Sequence, residues 1–242
     1  MGSEGFETMG SKTAQFIRAF GKIAVLWIVS DIGYYLLLPV LGIEASYNAS
    51  PVAVALYYGF WAVIAVVTFR PLYGNWSRYA GWPWFEKRKV SYVVWSSAFT
   101  GSLLFVALVL PSLPPIGWAE SWNPPEIRVA TAWYFLPKSI EIVFQQLLIV
   151  ALVLTLASRQ STIGKIMACS AAIFGGAHAL LVFGGVPPGY VARFMISAAA
   201  FGFMFPYLIL RLRNGLAYGY MVHWLYYAAS VTMPHIFWQP FK

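Results

Sequence analysis

One glutamate and two histidines lie inside apolar stretches of the sequence. Glu141 stands in SIEIVFQQLL beside the glutamines Gln145 and Gln146, while His178 and His223 stand in AAIFGGAHA and GYMVHWLYY. An ionisable side chain at the depth of a bilayer is costly unless it faces the interior of a helix bundle, so each such residue is a candidate for function. Carboxylates and imidazoles activate water and transfer protons. We therefore expect hydrolysis or proton transfer at these residues.

Each of the three residues belongs to a pair separated by four positions, which places both members on one face of a helix. The pairs are Glu141 with Gln145, Phe174 with His178, and His223 with Tyr227. Counted along their helices, the three ionisable residues fall at middle to outer depth, so they are predicted to share one cavity, with Gln145 placed to hydrogen-bond Glu141. The small residues around His178 and in SAAAFGF (197–203) predict that neighbouring helices approach closely there.

Other interpretations of these residues remain open. The glutamate and the histidines could form a structural network between helices, or, together with Asp31, a proton relay in a transporter. Asp31 could instead pair with Lys22, Lys138 or a tyrosine hydroxyl. One glutamate and two histidines are also a ligand set of catalytic zinc sites. However, no HExxH sequence is present, so zinc is the less favoured alternative and we expect no cofactor.

The composition indicates an integral membrane protein. Of the 242 residues 60% are apolar and only 10% are charged, and the mean hydropathy is +0.68. The net charge of +8 could suggest nucleic acid as a partner. The basic residues lie almost wholly in short connections between apolar runs, where membrane orientation explains them better, so no nucleic-acid binding is expected. The lone cysteine, Cys169, excludes an intramolecular disulfide.

Spanning a bilayer requires about 20 apolar residues, and the sequence predicts an all-α bundle of about seven such helices. The predicted spans are 20–42, 51–69, 90–110, 129–157, 166–183, 194–210 and 215–233. Pro137 could bend the fourth span or split a short eighth element from it. Residues 1–19 read as a disordered polar tail, and residues 20–242 read as a single transmembrane domain.

The distribution of lysine and arginine predicts the orientation. With the N-terminus in the cytoplasm, twelve basic residues fall on the inner side: Lys12, Arg18, Lys22, Arg70, Arg78, Lys87, Arg88, Lys89, Arg159, Lys165, Arg211 and Arg213. Four fall outside: Arg128, Lys138, Arg193 and Lys242. The excess on one side favours an inner N-terminus and an outer C-terminus.

The order of the motifs in 129–233 resembles the CPBP family of intramembrane proteases (CAAX protease and bacteriocin-processing, also called Abi). That family has an EExxxR helix, an FxxxH helix and a final HxxxN helix. Here FGGAH supplies the second motif, and RNGLAYGYMVHWLYY supplies a histidine helix with Tyr227 in place of the asparagine. In the first motif Glu141 is either the second glutamate, with Gln145 replacing the arginine, or the first, with Gln146 replacing it.

The resemblance implies a glutamic-type peptidase in a prokaryotic plasma membrane, acting without a metal on a membrane protein or a lipidated protein. Glu141 would then be the base that activates water and His178 its partner, while His223 and Tyr227 would stabilise the oxyanion. Gln145, Gln146 and Phe174 would support them. The alternatives are an inactive CPBP-like scaffold or immunity protein, and a proton-coupled transporter.

Overall fold

The computed structural model describes residues 3–82, 88–114, 127, 130–159 and 161–237, and this part of the chain forms helices and connections without a strand. The predicted all-α class is therefore confirmed. The described residues contain eight α-helices: α1 (Ser3–Val40), α2 (Pro51–Gly74), α3 (Trp76–Ala80), α4 (Lys89–Leu104), α5 (Phe135–Ala157), α6 (Ile163–Ala177), α7 (Pro188–Arg211) and α8 (Gly215–Phe237).

Several helices continue beyond their α-helical part. A π-helical turn over Phe105–Val109 and a last turn over Leu110–Ser112 extend α4. One 3₁₀ turn, Ala132–Tyr134, leads into α5, and another, His178–Gly184, follows α6.

Six segments of the described chain are long and apolar enough to cross a membrane, so the protein is an integral membrane protein. They are Ala14–Val40, Pro51–Gly74, Lys89–Ser112, Ala132–Ala157, Ile163–Gly184 and Pro188–Arg211. Each corresponds to one of the first six predicted spans.

The seventh predicted span is present as a helix but is not among those six. Helix α8 has 23 residues, enough to cross the hydrocarbon layer. Its composition is less apolar because it carries His223, Pro234 and several tyrosines. Its buried face, which includes Tyr220, His223 and Tyr227, packs inside the bundle.

Two details differ from the sequence-based expectation. Helix α1 begins at Ser3, so it includes most of the segment 1–19 that was predicted to be a tail. Pro137 lies in the first turn of α5, where a proline is compatible with a helix because its nitrogen needs no partner there. It therefore splits off no element, and the short extra helix is instead α3, Trp76–Ala80.

Helix α5 is the centre of the bundle. In its membrane-spanning segment 72% of the most apolar 18-residue stretch is buried, which is far more than in the other spans. It contacts α1, α2, α6, α7 and α8. A helix surrounded on all sides can be apolar all round, and this agrees with the run LLIVALVL from 147 to 154. Its polar residues are therefore directed at other helices rather than at lipid.

Helices α6 and α7 pack closely through small residues, as the sequence predicted. A Cβ added at Gly202 would lie 2.6 Å from the carbonyl oxygen of Ser170, and one added at Gly175 would lie 2.9 Å from Cβ of Ala199. Real side chains do not tolerate such distances, so only glycine allows the two backbones to approach this far. This packing fixes the end of α6, where His178 begins the 3₁₀ turn.

Candidate functional site

A small cavity lies within the bundle, between α1, α5 and α8 and the 3₁₀ turn that follows α6. Its volume is about 110 Å³, which is room for a few water molecules. Its charged, imidazole and amide side chains are Asp31, Lys138, Glu141, Gln145 and His178, and its phenol rings are Tyr35, Tyr47, Tyr58, Tyr134 and Tyr227. Such a lining suits reactions that consume water or move protons.

The Glu141 carboxylate is held by three side chains. Its Oε2 atom accepts a hydrogen bond from the Tyr47 hydroxyl at 2.8 Å and forms an ion pair with the Lys138 ammonium. Its Oε1 atom accepts a hydrogen bond from Nε2 of Gln145 at 2.8 Å. The predicted contact between Glu141 and Gln145 is thus present. Because each carboxylate oxygen has two lone pairs, Oε1 keeps one for a further donor.

Lys138 is buried, with a side chain 8% exposed, although the sequence analysis counted it among the outer charges. Its ammonium lies 4.3 Å from the ring centroid of Tyr47, 4.5 Å from that of Tyr227 and 5.7 Å from that of Tyr134. Aromatic faces attract a cation at these distances. Burial is tolerated because the lysine precedes Glu141 by three positions on one helix and compensates its charge. Lys138 lies in the first turn of α5, within the predicted span 129–157, and its charge is directed into the bundle.

Tyr47 is a partner of Glu141 that the sequence analysis missed. It lies in the connection between α1 and α2, with its side chain buried, and its hydroxyl is 3.2 Å from the hydroxyl of Tyr58. Burial, together with the nearby Glu141 carboxylate, raises the pKa of Tyr47 well above its usual value. The hydroxyl therefore stays protonated and serves as a donor to the carboxylate.

His178 lines the same cavity from the start of the 3₁₀ turn after α6. Its Nδ1 atom is 2.9 Å from the carbonyl oxygen of Phe174. A carbonyl oxygen only accepts hydrogen bonds, so Nδ1 carries the proton, and in the neutral ring Nε2 has a lone pair. The edge of the imidazole also packs on the Phe174 ring, with centroids 4.9 Å apart. The two residues are thus neighbours, as the FxxxH spacing predicted, and Phe174 orients His178.

His223 does not line the cavity. It is 2% exposed and lies among aromatic rings, with centroid distances of 6.1 Å to Phe174, 5.4 Å to Phe201, 6.0 Å to Phe205 and 5.5 Å to Tyr227. Its Nδ1 atom has no hydrogen-bond partner in the described part of the chain. Tyr227, which does line the cavity, stacks on the His223 ring. The expectation that both histidines face one cavity therefore holds only for His178.

Asp31 joins the cavity from α1. Lys22, Lys138 or a tyrosine hydroxyl was its expected partner. None of the described residues donates a hydrogen bond to its carboxylate, although the charges of Glu141 and Lys138 act on it. Asp31 thus gives the cavity a second acidic side chain.

Gln146 faces away from the cavity, toward α8. A Cβ added at Gly219 would lie 3.0 Å from its Oε1 atom. Both of its amide atoms are buried and lack a hydrogen-bond partner among the described residues. Gln145 is therefore the glutamine at the site, and Gln146 belongs to the packing between α5 and α8.

The described residues contain no group of three or more histidine, cysteine, aspartate or glutamate side chains that could hold a metal ion. Glu141, His178 and His223, the set considered for zinc, do not form such a group because His223 lies behind the cavity wall.

Comparison with known proteins adds no assignment for this chain. No family model matches it, and no curated protein and no solved structure is significantly similar to it.

Two partners of Glu141, Lys138 and Tyr47, differ in how far the sequence indicates them. Lys138 and Glu141 are three residues apart on a helix, and this spacing alone indicates an ion pair. Tyr47 precedes Glu141 by 94 positions, and one of many tyrosines in a membrane protein carries no pattern of its own. Its contact depends on how α1 and α2 pack on α5.

Proposed function

We propose that the protein is an intramembrane endopeptidase of the CPBP type, which hydrolyses a membrane-embedded or lipid-linked protein in a prokaryotic plasma membrane. One observation supports this most: Glu141 on α5 and His178 after α6 line one small polar cavity. They are two of the three residues that correspond to the CPBP motifs. A peptidase that activates water needs both a base and room for that water.

In this mechanism Glu141 and His178 prepare the water for attack. A water molecule in the cavity donates one hydrogen bond to Oε1 of Glu141 and another to Nε2 of His178. As the water oxygen bonds to the peptide carbonyl carbon, its proton passes to the carboxylate. Glu141 then gives this proton to the leaving amine nitrogen as the carbon–nitrogen bond breaks, so the carboxylate returns to its starting state.

The oxyanion would be stabilised by the cation and hydroxyl at the same cavity. Lys138 and Tyr227 both line it, and the ammonium lies 4.5 Å from the centroid of the Tyr227 ring. A positive charge fixed before the reaction stabilises a developing negative charge strongly in a site of low dielectric. This changes the role of His223, which would act through Tyr227, on which it stacks, rather than as a direct donor.

Cleavage by the purified protein in liposomes tests the proposal. The probes are a farnesylated peptide that ends in a CAAX sequence and an unlipidated transmembrane peptide, and mass spectrometry detects the new chain ends. We expect Glu141→Gln and His178→Ala each to lower the cleavage rate by about 10²- to 10⁴-fold, the usual contribution of a positioned acid or base. His223→Ala should have a smaller effect because its side chain is outside the cavity.

The matched control is Glu44→Gln, which makes the same chemical change at an exposed position in the connection between α1 and α2. It should cleave at the wild-type rate. Full activity in both Glu141→Gln and His178→Ala would refute the peptidase. A folded wild-type protein that cleaves neither probe, and no peptide in a membrane-protein digest library, would refute it as well.

A proton-coupled transporter is the second candidate, because Asp31 brings a fourth charged or imidazole side chain to the cavity beside Lys138, Glu141 and His178. Chains of such residues inside membranes carry protons in pumps and transporters. Proteoliposomes that contain a pH-sensitive dye would report proton entry. Entry that is lost in both Asp31→Asn and Glu141→Gln, without any peptide cleavage, would favour this function over the peptidase.

A further inference from the structure

A second, larger pocket opens beside the ends of α2 and α5 and the first part of α1. Its volume is about 450 Å³. Its polar side includes Gln15, Asn75, Arg78, Ser158 and Arg159. Arg78 and Arg159 are among the basic residues that the charge distribution assigns to the cytoplasmic side. The predicted orientation therefore places the pocket at the inner surface of the membrane.

Two arginines provide the charge of this pocket. None of the described residues that line it is acidic. The Arg159 guanidinium is held over the Phe16 ring, 4.7 Å from its centroid, and such stacking fixes the plane of the group. Within the described residues neither guanidinium has a hydrogen-bond or ion-pair partner. Their donors are thus left for an anion.

Two neighbouring polar groups, Asn75 and Ser158, already use one hydrogen each. Nδ2 of Asn75 donates to the carbonyl oxygen of Pro71 at 2.8 Å, and the Ser158 hydroxyl donates to the carbonyl oxygen of Thr155 at 2.7 Å. Both side chains keep an acceptor oxygen. An occupant that meets the arginines with negative oxygens and these two residues with hydroxyl hydrogens would pair with four of the polar side chains.

The apolar part of the lining comes from membrane-spanning segments. Phe16 and Ala19 belong to α1, and Pro71 and Leu72 belong to α2. Both helices expose apolar side chains farther along the span, for example Val25 at 60% and Val67 at 69%. A molecule with a charged head and hydrocarbon tails could place its head between the arginines and its tails along these helices.

We propose that this pocket binds the phosphate headgroup of an anionic phospholipid of the inner leaflet, such as phosphatidylglycerol. The planar guanidiniums of Arg78 and Arg159 match the geometry of phosphate oxygens, and their hydrogen bonds are charge-assisted. The glycerol hydroxyls of the headgroup supply donors for Asn75 and Ser158. Basic pockets between membrane helices on the cytoplasmic side are a known mode of lipid recognition. The proposal is independent of the chemistry at the Glu141 cavity.

Lipid retention in a neutral detergent tests this site without the contribution of a charged membrane surface. The full chain is mixed with equal amounts of phosphatidylglycerol and phosphatidylcholine, and native mass spectrometry measures the affinity for each. We expect one phosphatidylglycerol to bind in preference to phosphatidylcholine. Arg78→Gln combined with Arg159→Gln should weaken phosphatidylglycerol binding by about tenfold or more, the size expected for losing hydrogen bonds to a charged group.

The control variant, Arg18→Gln combined with Arg70→Gln, removes the same charge from the same side of the membrane, at exposed positions that do not line the pocket. It should bind phosphatidylglycerol like the wild type. Equal loss in both double variants would show a general charge effect and overturn the proposal. Equal affinity for phosphatidylglycerol and phosphatidylcholine would overturn it as well. Displacement of the lipid by inorganic phosphate at equal concentration would also overturn it, because it would indicate a site for the free anion.

Discussion

The charge of Glu141 is compensated within its own helix. Lys138 pairs with it one turn away, Gln145 bonds its other oxygen, and Tyr47 reaches it from the connection before α2. A buried ion pair contributes little net stability, because removing two charges from water is costly, but breaking such a pair leaves an isolated buried charge. The pair therefore fixes the geometry of the cavity more than it stabilises the fold.

Lys138→Met should lower the free energy of unfolding by about 3–5 kcal/mol, because Glu141 then stays buried without its cation. Adding Glu141→Gln to that variant should restore a large part of the loss. Reversible unfolding in mixed detergent micelles measures all the variants. The matched control is Lys165→Met at an exposed position on α6, which should change stability by about 0.5 kcal/mol at most. Equal losses at 138 and 165 would contradict the ion pair.

Tyr47→Phe should lower the free energy of unfolding at neutral pH by about 1.5–3 kcal/mol, since it removes a hydrogen bond to a charged group. Because the pKa of Tyr47 is raised above its ordinary value of 10.0 in the folded protein, the unfolded chain loses this proton first. The stability that Tyr47 contributes is therefore complete below about pH 10 and falls as the pH rises beyond that.

Unfolding curves for the wild type and for Tyr47→Phe between pH 7 and pH 11 test this dependence. Their difference in stability should stay constant up to about pH 10 and then shrink. Tyr58→Phe is the matched control, because its hydroxyl contacts Tyr47 at 3.2 Å and not the carboxylate, so it should cost less. A difference that grows with pH would contradict the raised pKa.

The part of the site that local spacing determines could be predicted from the sequence. The contacts of Glu141 with Gln145 and of His178 with Phe174 each join residues one turn apart, and helix geometry alone requires their proximity. The position of His223 could not be predicted in this way. His223 faces the bundle interior from α8, as expected. Whether an inward-facing side chain of α8 reaches the cavity depends on how α8 is rotated against α7.

Helix ends with a chemical signal were predicted best. The predicted spans 51–69 and 215–233 begin at the observed starts of α2 and α8, where Pro51 suits the first turn of a helix and Asn214-Gly215 marks a turn. The start of α7 was placed at 194 but lies at Pro188. Arg193 and Gly189 lowered the apolar content there, although Pro188 was the better indicator.

Gly202→Ala should separate α6 from α7 and lower the free energy of unfolding by about 1–3 kcal/mol, because the added Cβ would lie 2.6 Å from a backbone oxygen that cannot rotate away. Gly176→Ala is the matched control on α6, where an added Cβ meets nothing within 4 Å. It should be neutral or stabilise by up to about 1 kcal/mol, since alanine favours the helix. Reversible unfolding in micelles compares the two variants, and equal effects would contradict the close packing.

The bundle combines two different polar regions around one central helix. The beginning of α5 supplies Lys138, Glu141 and Gln145 to the cavity, while its end supplies Thr155 to the basic pocket beside Ser158 and Arg159. Between them the helix is apolar and buried. Because α5 spans the membrane, the two regions face opposite sides of it. With the predicted orientation, the proposed chemistry lies toward the outer half and the proposed lipid contact lies at the inner surface.

The side on which the C-terminus lies depends on whether α8 crosses the membrane. Helix α8 is not among the six apolar segments, yet Tyr220, Trp224 and Val231 share a buried face with His223 and Tyr227. Polar residues are tolerated in a span when they face the bundle interior. If α8 is a seventh span, the excess of basic residues on one side predicts an N-terminus in the cytoplasm and a C-terminus outside.

Labelling of single cysteines with a membrane-impermeant maleimide tests this topology. In a Cys169→Ser background, Lys242→Cys should react in intact cells, whereas Ser11→Cys should react only after the membrane is permeabilised. Each variant serves as the control for the other, because both residues lie near an end of the chain. Reaction of both cysteines on the same side would mean that α8 does not cross. The six apolar segments alone would then span the bilayer, and the depth assigned to His223 and Tyr227 would have to be revised.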